Sequence, residues 1–297
     1  MSIGNLAFGG RGKTPVAAMV ARHLLARGER PAILSRGYAR RRAAPGAVIV
    51  SDGTHVVADL DRAGDEPLML ARSLPGVIVV VCDVRAIAAA LARDVLGASV
   101  LVLDDGFQHR GLRRDVDVVV VTPEDLRDRR VPFGRLRESP SALSRAHAVL
   151  FDGPAASAPL AVAPRAAVFA LRRAIRPPVP LEAERPLPAE RGPVVAVAGI
   201  AHPDRFRRAL EADGWTVTRF FKFRDHHRFS RHDLAAVIEA SRETRAIAVL
   251  TTEKDAVRLL PWRPFAVPIA AVPLEVSVEP QPEFDAWLDA RCREARA

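Results

Sequence analysis

The chain has 297 residues, 49% of them hydrophobic, 27% charged and 5% aromatic, with a formal net charge of +9. That length and apolar content suit one large or two smaller globular domains and exclude an intrinsically disordered chain. No apolar run reaches the roughly 18 to 20 residues of a membrane span, and Cys82 and Cys292 have neither metal-ligand nor disulfide-framework spacing, so a soluble protein of a reducing, cytosolic compartment is expected.

In chain order, "SIGNLAF" predicts a strand that runs into the glycine-rich turn "GGRGKTP" and then a helix from Lys13 to Arg27. Strands follow at "PAILS" and "AVIVS", a helix over Glu66 to Leu74, a strand at "GVIVVVC", a helix over Arg85 to Leu96, and strands at "SVLVLDD" and "VDVVVVT". Such alternation indicates an α/β fold with a mostly parallel sheet. The continuously apolar "VIVVV" and "VDVVVV" fit central strands covered by helices on both faces. From about Ala163 to Pro193 repeated prolines interrupt any long helix and predict a linker. Beyond it, "VVAVAGI", a helix from Pro203 to Asp213, "TVTRFF", a helix over His232 to Arg242, "AIAVLTT" and "FAVPIAAV" predict a smaller α/β unit. The expected division is a P-loop NTPase-like core over 1–165, a Pro-rich linker over 166–193 and a C-terminal subdomain over 194–297.

Gly12, Lys13 and Thr14 have the form of the close of a phosphate-binding loop. Its backbone amides surround phosphates, its Lys reaches the terminal ones and its Thr hydroxyl faces Mg²⁺. The helix that follows adds unsatisfied amides and the positive end of its dipole. The general pattern opens with Gly where this chain has Ala7. A nucleotide triphosphate site also needs an acidic residue at the end of an apolar strand to hold the metal, and Asp104 and Asp105 supply two. Asp65-Glu66-Pro67 reads on its own as the capped start of a helix. Arg85 begins a helix just after an apolar strand, where a sheet edge faces a ligand. Arg135, Arg137 and Glu138 share a loop that fits a charged surface turn equally well. Asp225, His226 and His227 share another, and no Cys/His cluster completes a zinc site there.

Taken together, "GNLAFGGRGKTP", "SRGY", "GDEP", "LDDGFQHRGLRRD", "PFGRLRE", "GIAHPDRF", "DHHRFS" and "TTEKDAVRL" resemble, in order and over nearly the whole chain, the tetraacyldisaccharide 4'-kinases. These P-loop kinases phosphorylate the lipid A precursor on the cytoplasmic side of the bacterial inner membrane. The replacement of the first loop Gly is itself a habit of that family. The resemblance implies that Ala7, Phe8, Gly9, Gly10, Arg11, Gly12, Lys13 and Thr14 wrap the phosphates of ATP, with Thr14, Asp104 and Asp105 on the Mg²⁺ side. It makes Asp65 the residue that activates the sugar hydroxyl and His226 the partner that orients or tunes it, so that the capping reading of Asp65 gives way. Arg85, Gln108, His109 and Glu138 fall on further active-site positions. The implied partners are an anionic acylated disaccharide and, peripherally, the inner-membrane surface, with no nucleic acid.

Family members usually begin several dozen residues earlier, with an apolar and basic segment that contacts the membrane. Here the chain starts at the first strand, and a misassigned start is the expectation. A rival reading is an ATPase or GTPase switch of the metallochaperone or partitioning type, which shares a "GGxGKT" loop. Members with the deviant loop carry an early Lys where this chain has Phe8. A nucleic-acid module has only the positive charge in its favour, since no basic-aromatic stacking surface is visible.

Overall fold

The structure is a computed structural model that describes residues 1–38, 40–42, 45–154, 161–188 and 190–296. It begins with β1 (Ser2–Asn5), α1 (Lys13–Ala26), β2 (Pro31–Ser35), β3 (Val48–Asp52), α2 (Leu60–Ala63), α3 (Asp65–Ser73), β4 (Ile78–Val81) and α4 (Arg85–Ala90). One π turn over Leu91–Val95 extends α4, and β5 (Val100–Asp104), β6 (Asp117–Val121), β7 (Ala148–Phe151) and β8 (Ala167–Ile175) follow. Then come β9 (Val179–Pro180), β10 (Pro193–Ala198), α5 (Pro203–Ala212), β11 (Thr216–Lys222), α6 (Arg231–Glu243), β12 (Ala248–Thr252), α7 (Glu253–Leu259) and β13 (Ile269–Val272). The chain closes with β14 (Leu274–Glu279) and α8 (Gln281–Glu294).

Two compact units result, one of Met1–Arg173 with Val276–Ala297 and one of Ala174–Glu275. The large sheet has nine strands in the order β14-β8-β7-β6-β1-β5-β2-β4-β3. Neighbours from β8 to β4 run parallel, and β3 pairs antiparallel with β4. Every residue of β2, β4 and β6 is buried. Successive side chains point to opposite faces, so full burial means that both faces are covered, which is why these strands read as unbroken apolar runs. Helix α1 buries Val16, Ala17, Ala18, Val20, Ala21 and Leu24. Phe107, Leu6, Leu136, Leu143 and Phe151 share one core cluster, which fixes the loops after β1, β5 and β6 against each other. Gly4 is required there, because a Cβ would lie 2.3 Å from that of Phe107.

The smaller unit has a five-stranded sheet in the order β11-β10-β12-β13-β9, parallel except for β9. Its core gathers Val195, Val197, Phe229, Val249 and Leu259. The boundaries differ from those expected of the sequence. Among the described residues of 166–193 lie β8 and β9, and β8 pairs in register with β7, Ala167 opposite Ala148. The residues from 276 onward return to the first unit, where Phe284 of α8 packs edge-on to Phe169 at 5.2 Å between ring centres. Prolines 177 and 178 mark where β8 ends, but the arginines within β8 hide its strand character from a reading based on composition.

Candidate active site

Strand β1 lies between β5 and β6, with Ile3 opposite Asp104, so the loop after β1 and the acidic end of β5 emerge together at one carboxyl edge of the sheet. In doubly wound sheets that edge is where ligands bind. The loop itself runs from Ala7, buried and bridged to Leu136, through exposed Phe8, Gly9 and Gly10 to Gly12. Gly9 and Gly12 take φ of 99° and 84°, a left-handed backbone that a side chain would strain. Gly12 is the N-cap of α1, with no side-chain cap and no acidic residue in the first turn. The amides at that helix start are therefore left for an anion.

Lys13 lies across the loop, its Nζ donating to Asn5 Oδ1 at 2.9 Å and pairing with Asp105 at 3.1 Å. Thr14 Oγ1 donates to Asp104 Oδ2 at 3.1 Å. Burial, with the charge of Glu66 adding to it, pushes Asp104 up to about 7, against the pull of Lys13. Its Oδ1 is buried without a hydrogen-bond partner, an oxygen that a cation would satisfy. Asp105 behaves oppositely. Burial pushes its carboxyl up, but hydrogen bonds from Arg137, at 2.7 and 3.0 Å, and the charge of Lys13 outweigh that and hold it at about 2. Two adjacent carboxylates are thus set apart, one charged and clamped, the other buried and short of positive charge.

Arg85 opens α4, 4% exposed, with Nη1 donating to the Cys82 carbonyl at 2.7 Å and Nη2 to that of Asp104 at 3.5 Å. Gln108 Nε2 donates to the Asn5 carbonyl at 2.9 Å. His109 follows, its pKa lowered by burial and then by Arg85, Arg36 and Arg114, which favours the neutral ring. Glu138 accepts from Arg145 at 2.6 Å. Asp65 is 4% exposed and is the first residue of α3, whose N-cap is Gly64 rather than Asp65. Its Oδ1 accepts from the Glu66 amide at 3.0 Å, so it supports the helix start from inside the first turn. In the smaller unit, His226 takes a positive φ of 60°, and Lys254 Nζ lies 3.3 Å from its Nε2 and donates to Asp225 Oδ1 at 3.1 Å.

The first unit thus brings the phosphate loop, Asp104, Asp105 and Gln108 together around Asn5, while His226 belongs to the second unit. Asn5 is a residue that sequence reasoning missed, and Arg137, which the sequence fits equally well to a charged surface turn, instead clamps Asp105. Asn5 binds Lys13, Arg137, the Ala7 carbonyl and, through its own carbonyl, Gln108. An Asn at the end of the first strand, directly before the glycine-rich loop, was the available signal. Among the described residues no group of three or more His, Cys, Asp or Glu side chains could hold a metal by itself.

A family model described as tetraacyldisaccharide-1-P 4'-kinase matches residues 1–293. The tetraacyldisaccharide 4'-kinase of Syntrophus aciditrophicus is 37% identical over 308 residues, covering 96% of this chain and 82% of the relative. That of Anaeromyxobacter dehalogenans strain 2CP-C is 45% identical over 278 residues, covering 88% and 72%. The crystal structure of the "apo" form of LpxK from Aquifex aeolicus in complex with ATP superposes with a TM-score of 0.77 at 30% identity, covering 98% of this chain and 87% of that one.

Proposed function

Because this chain belongs to the tetraacyldisaccharide 4'-kinase family, we infer that it transfers the γ-phosphoryl group of ATP to the 4'-hydroxyl of a tetraacyldisaccharide 1-phosphate, forming lipid IVA in lipid A biosynthesis. The rival reading as an ATPase or GTPase switch has no support among these relatives. The observation that carries the site assignment is the convergence of Lys13, Thr14, Asp104 and Asp105 at one sheet edge.

Phosphoryl transfer needs in-line positioning and charge neutralisation more than covalent help. The loop amides and the start of α1 receive phosphate oxygens, and Lys13 exchanges its contact with Asp105 for the terminal phosphates. Arg85, Gln108, His109 and Glu138 complete the surroundings of the nucleotide. Thr14 and Asp104, with Asp105 beside them, would hold Mg²⁺, which neutralises charge on the β- and γ-phosphates when bound. The unpartnered Oδ1 of Asp104 fits that role. Asp65 accepts the proton of the sugar hydroxyl as it attacks, the role of a positioned carboxylate. His226 takes the second catalytic role that the family resemblance gives it. The lipid substrate places the enzyme peripherally at the cytoplasmic face of the inner membrane, and among the described residues no helix is long and apolar enough to cross one.

Transfer of radiolabel from γ-labelled ATP to micellar tetraacyldisaccharide 1-phosphate tests the reading. Label at the 4' position supports it, and ATP turnover indifferent to acceptor would overturn it.

A further inference from the structure

Phe133 is 82% exposed, the most exposed large hydrophobic side chain among the described residues, and Val131 is 53% exposed two positions away. Arg127, Arg129, Arg130 and Arg135 surround them, all exposed, against Asp128, which pairs with Arg135 at 3.3 Å, and exposed Glu124. An apolar tip ringed by arginines matches a lipid surface, where an aromatic ring settles at headgroup depth and guanidinium groups meet lipid phosphates.

The tip is built rather than slack. Phe133 donates its amide to the Arg130 carbonyl at 2.9 Å, Val131 to that of Leu136 at 3.0 Å, and Leu136 to that of Arg129 at 3.0 Å. Leu136 is 1% exposed and anchors the turn in the core cluster that also holds Leu6 and Phe107. Gly134 lets the turn close, since a Cβ there would lie 2.2 Å from the Arg129 carbonyl oxygen. With its base fixed in this way, the turn holds Phe133 and Val131 outward at little further cost in order. It also adjoins the phosphate loop. The Phe8 amide donates to the Arg135 carbonyl at 2.9 Å, and the Phe8 ring, 58% exposed, carries Arg137 5.5 Å above it.

We propose that residues 127–135 dock the protein on an anionic membrane surface, with Phe133 and Val131 entering the interface and Arg127, Arg129, Arg130 and Arg135 facing lipid phosphates. The choice of a membrane over a protein partner rests on the kinase reading, in which the acceptor is a lipid that must be met beside the phosphate loop.

Flotation of the full chain with vesicles of phosphatidylethanolamine and phosphatidylglycerol, and with neutral phosphatidylcholine vesicles, tests this. The wild type should float with the anionic vesicles and less with the neutral ones. Phe133→Ser should weaken the partition at least ~10-fold, the scale of exposing one aromatic side chain, and Phe133→Trp should restore it. Arg129→Gln/Arg130→Gln should weaken it too and make what remains less dependent on salt. All these positions are exposed, so melting should be unchanged, and turnover of micellar acceptor should stay at the wild-type level. The proposal is overturned if the wild type does not float or if Phe133→Ser floats like it. Loss of label transfer in micelles by the wild type would sink the kinase reading instead, whatever the flotation result.

Discussion

Arg11 and Asp125 form an ion pair at 2.7 Å in which neither side chain is more than 3% exposed. One partner belongs to the phosphate loop and the other to the 3₁₀ turn after β6, where the Asp125 carboxylate also accepts from the Thr122 amide at 3.1 Å. The Arg11 side chain therefore points into the protein, away from where phosphates would lie, and the loop is fastened from beneath. Arg173 adds a second tie, donating to the Arg11 carbonyl at 2.7 Å while pairing with Asp152 at 2.8 Å.

Removing one member of a buried pair leaves a charge without compensation, at a cost of about 3 to 5 kcal/mol, whereas replacing both by apolar groups is often neutral. Arg11→Met should lower the melting temperature markedly, and Arg11→Met/Asp125→Leu should recover most of it. Stability and loop order then separate. The double variant should keep its kcat within a few-fold but show a KM for ATP raised ~10-fold, because an unfastened loop must be ordered by the nucleotide. A double variant with a wild-type KM for ATP would show that the pair does not order the loop.

Lys13 sits between Asn5 and Asp105, so its loss frees two polar neighbours but opens no apolar cavity. Lys13→Ala should fold, by circular dichroism, and lose turnover by at least ~10³-fold, in line with loss of a fixed cation at the transferred group. Wild-type rates in that variant would remove the phosphate-loop assignment.

Helix α6 depends on Asp233 for its start. Ser230 and Asp233 cap each other's backbone, and Asp233 also accepts from the Ser230 hydroxyl at 2.8 Å and from His227 Nε2 at 3.0 Å. Partial burial pushes its carboxyl up, but the Ser230 amide, His227 and the Ser230 hydroxyl outweigh that and bring it below the ordinary Asp value. A carboxyl lowered in the folded state contributes stability that is present above its unfolded pKa, about 3.9, and lost as pH falls below it. Asp233→Ala should therefore cost about 1 kcal/mol at neutral pH. It should also flatten the decline of stability between about pH 4 and the lowered folded value, as read by chemical denaturation over pH.

What could be read in the sequence follows from what periodicity and motif report. The runs of β4 and β6 announce burial on both faces, and the phosphate loop announces itself because glycine spacing and Lys13-Thr14 are local. The Arg11–Asp125 and Arg137–Asp105 pairs join residues far apart in the chain, and no local pattern shows which carboxylate either arginine meets. The same holds for β8, whose Arg172 and Arg173 look like linker charge until Arg173 is seen against the phosphate loop. The N-cap of α3 is a finer case. Asp65 and Gly64 are both acceptable caps by type, and only the backbone, with Gly64 at φ 84° and ψ 164°, assigns the position to the glycine.

That reassignment sharpens the test of Asp65. As the first residue of the helix rather than its cap, Asp65 supports α3 by accepting from the Glu66 amide at 3.0 Å, a bond worth about 0.5 to 1.5 kcal/mol. An asparagine keeps the carbonyl oxygen that accepts that bond and nearly the same volume. It removes the negative charge and the capacity to take a proton, and replaces one acceptor oxygen with an NH2 donor. Asp65→Asn should therefore melt close to the wild type and retain ATP binding. A general base supplies roughly 10² to 10⁴ in rate, so in the role proposed for Asp65 the variant should turn over at least ~10²-fold more slowly at saturating acceptor, with little change in KM for ATP. His226→Ala, assayed separately, should lower kcat as well. Near-native turnover by Asp65→Asn would reduce Asp65 to a helix-start residue, and the base would have to be sought among the other carboxylates of the site.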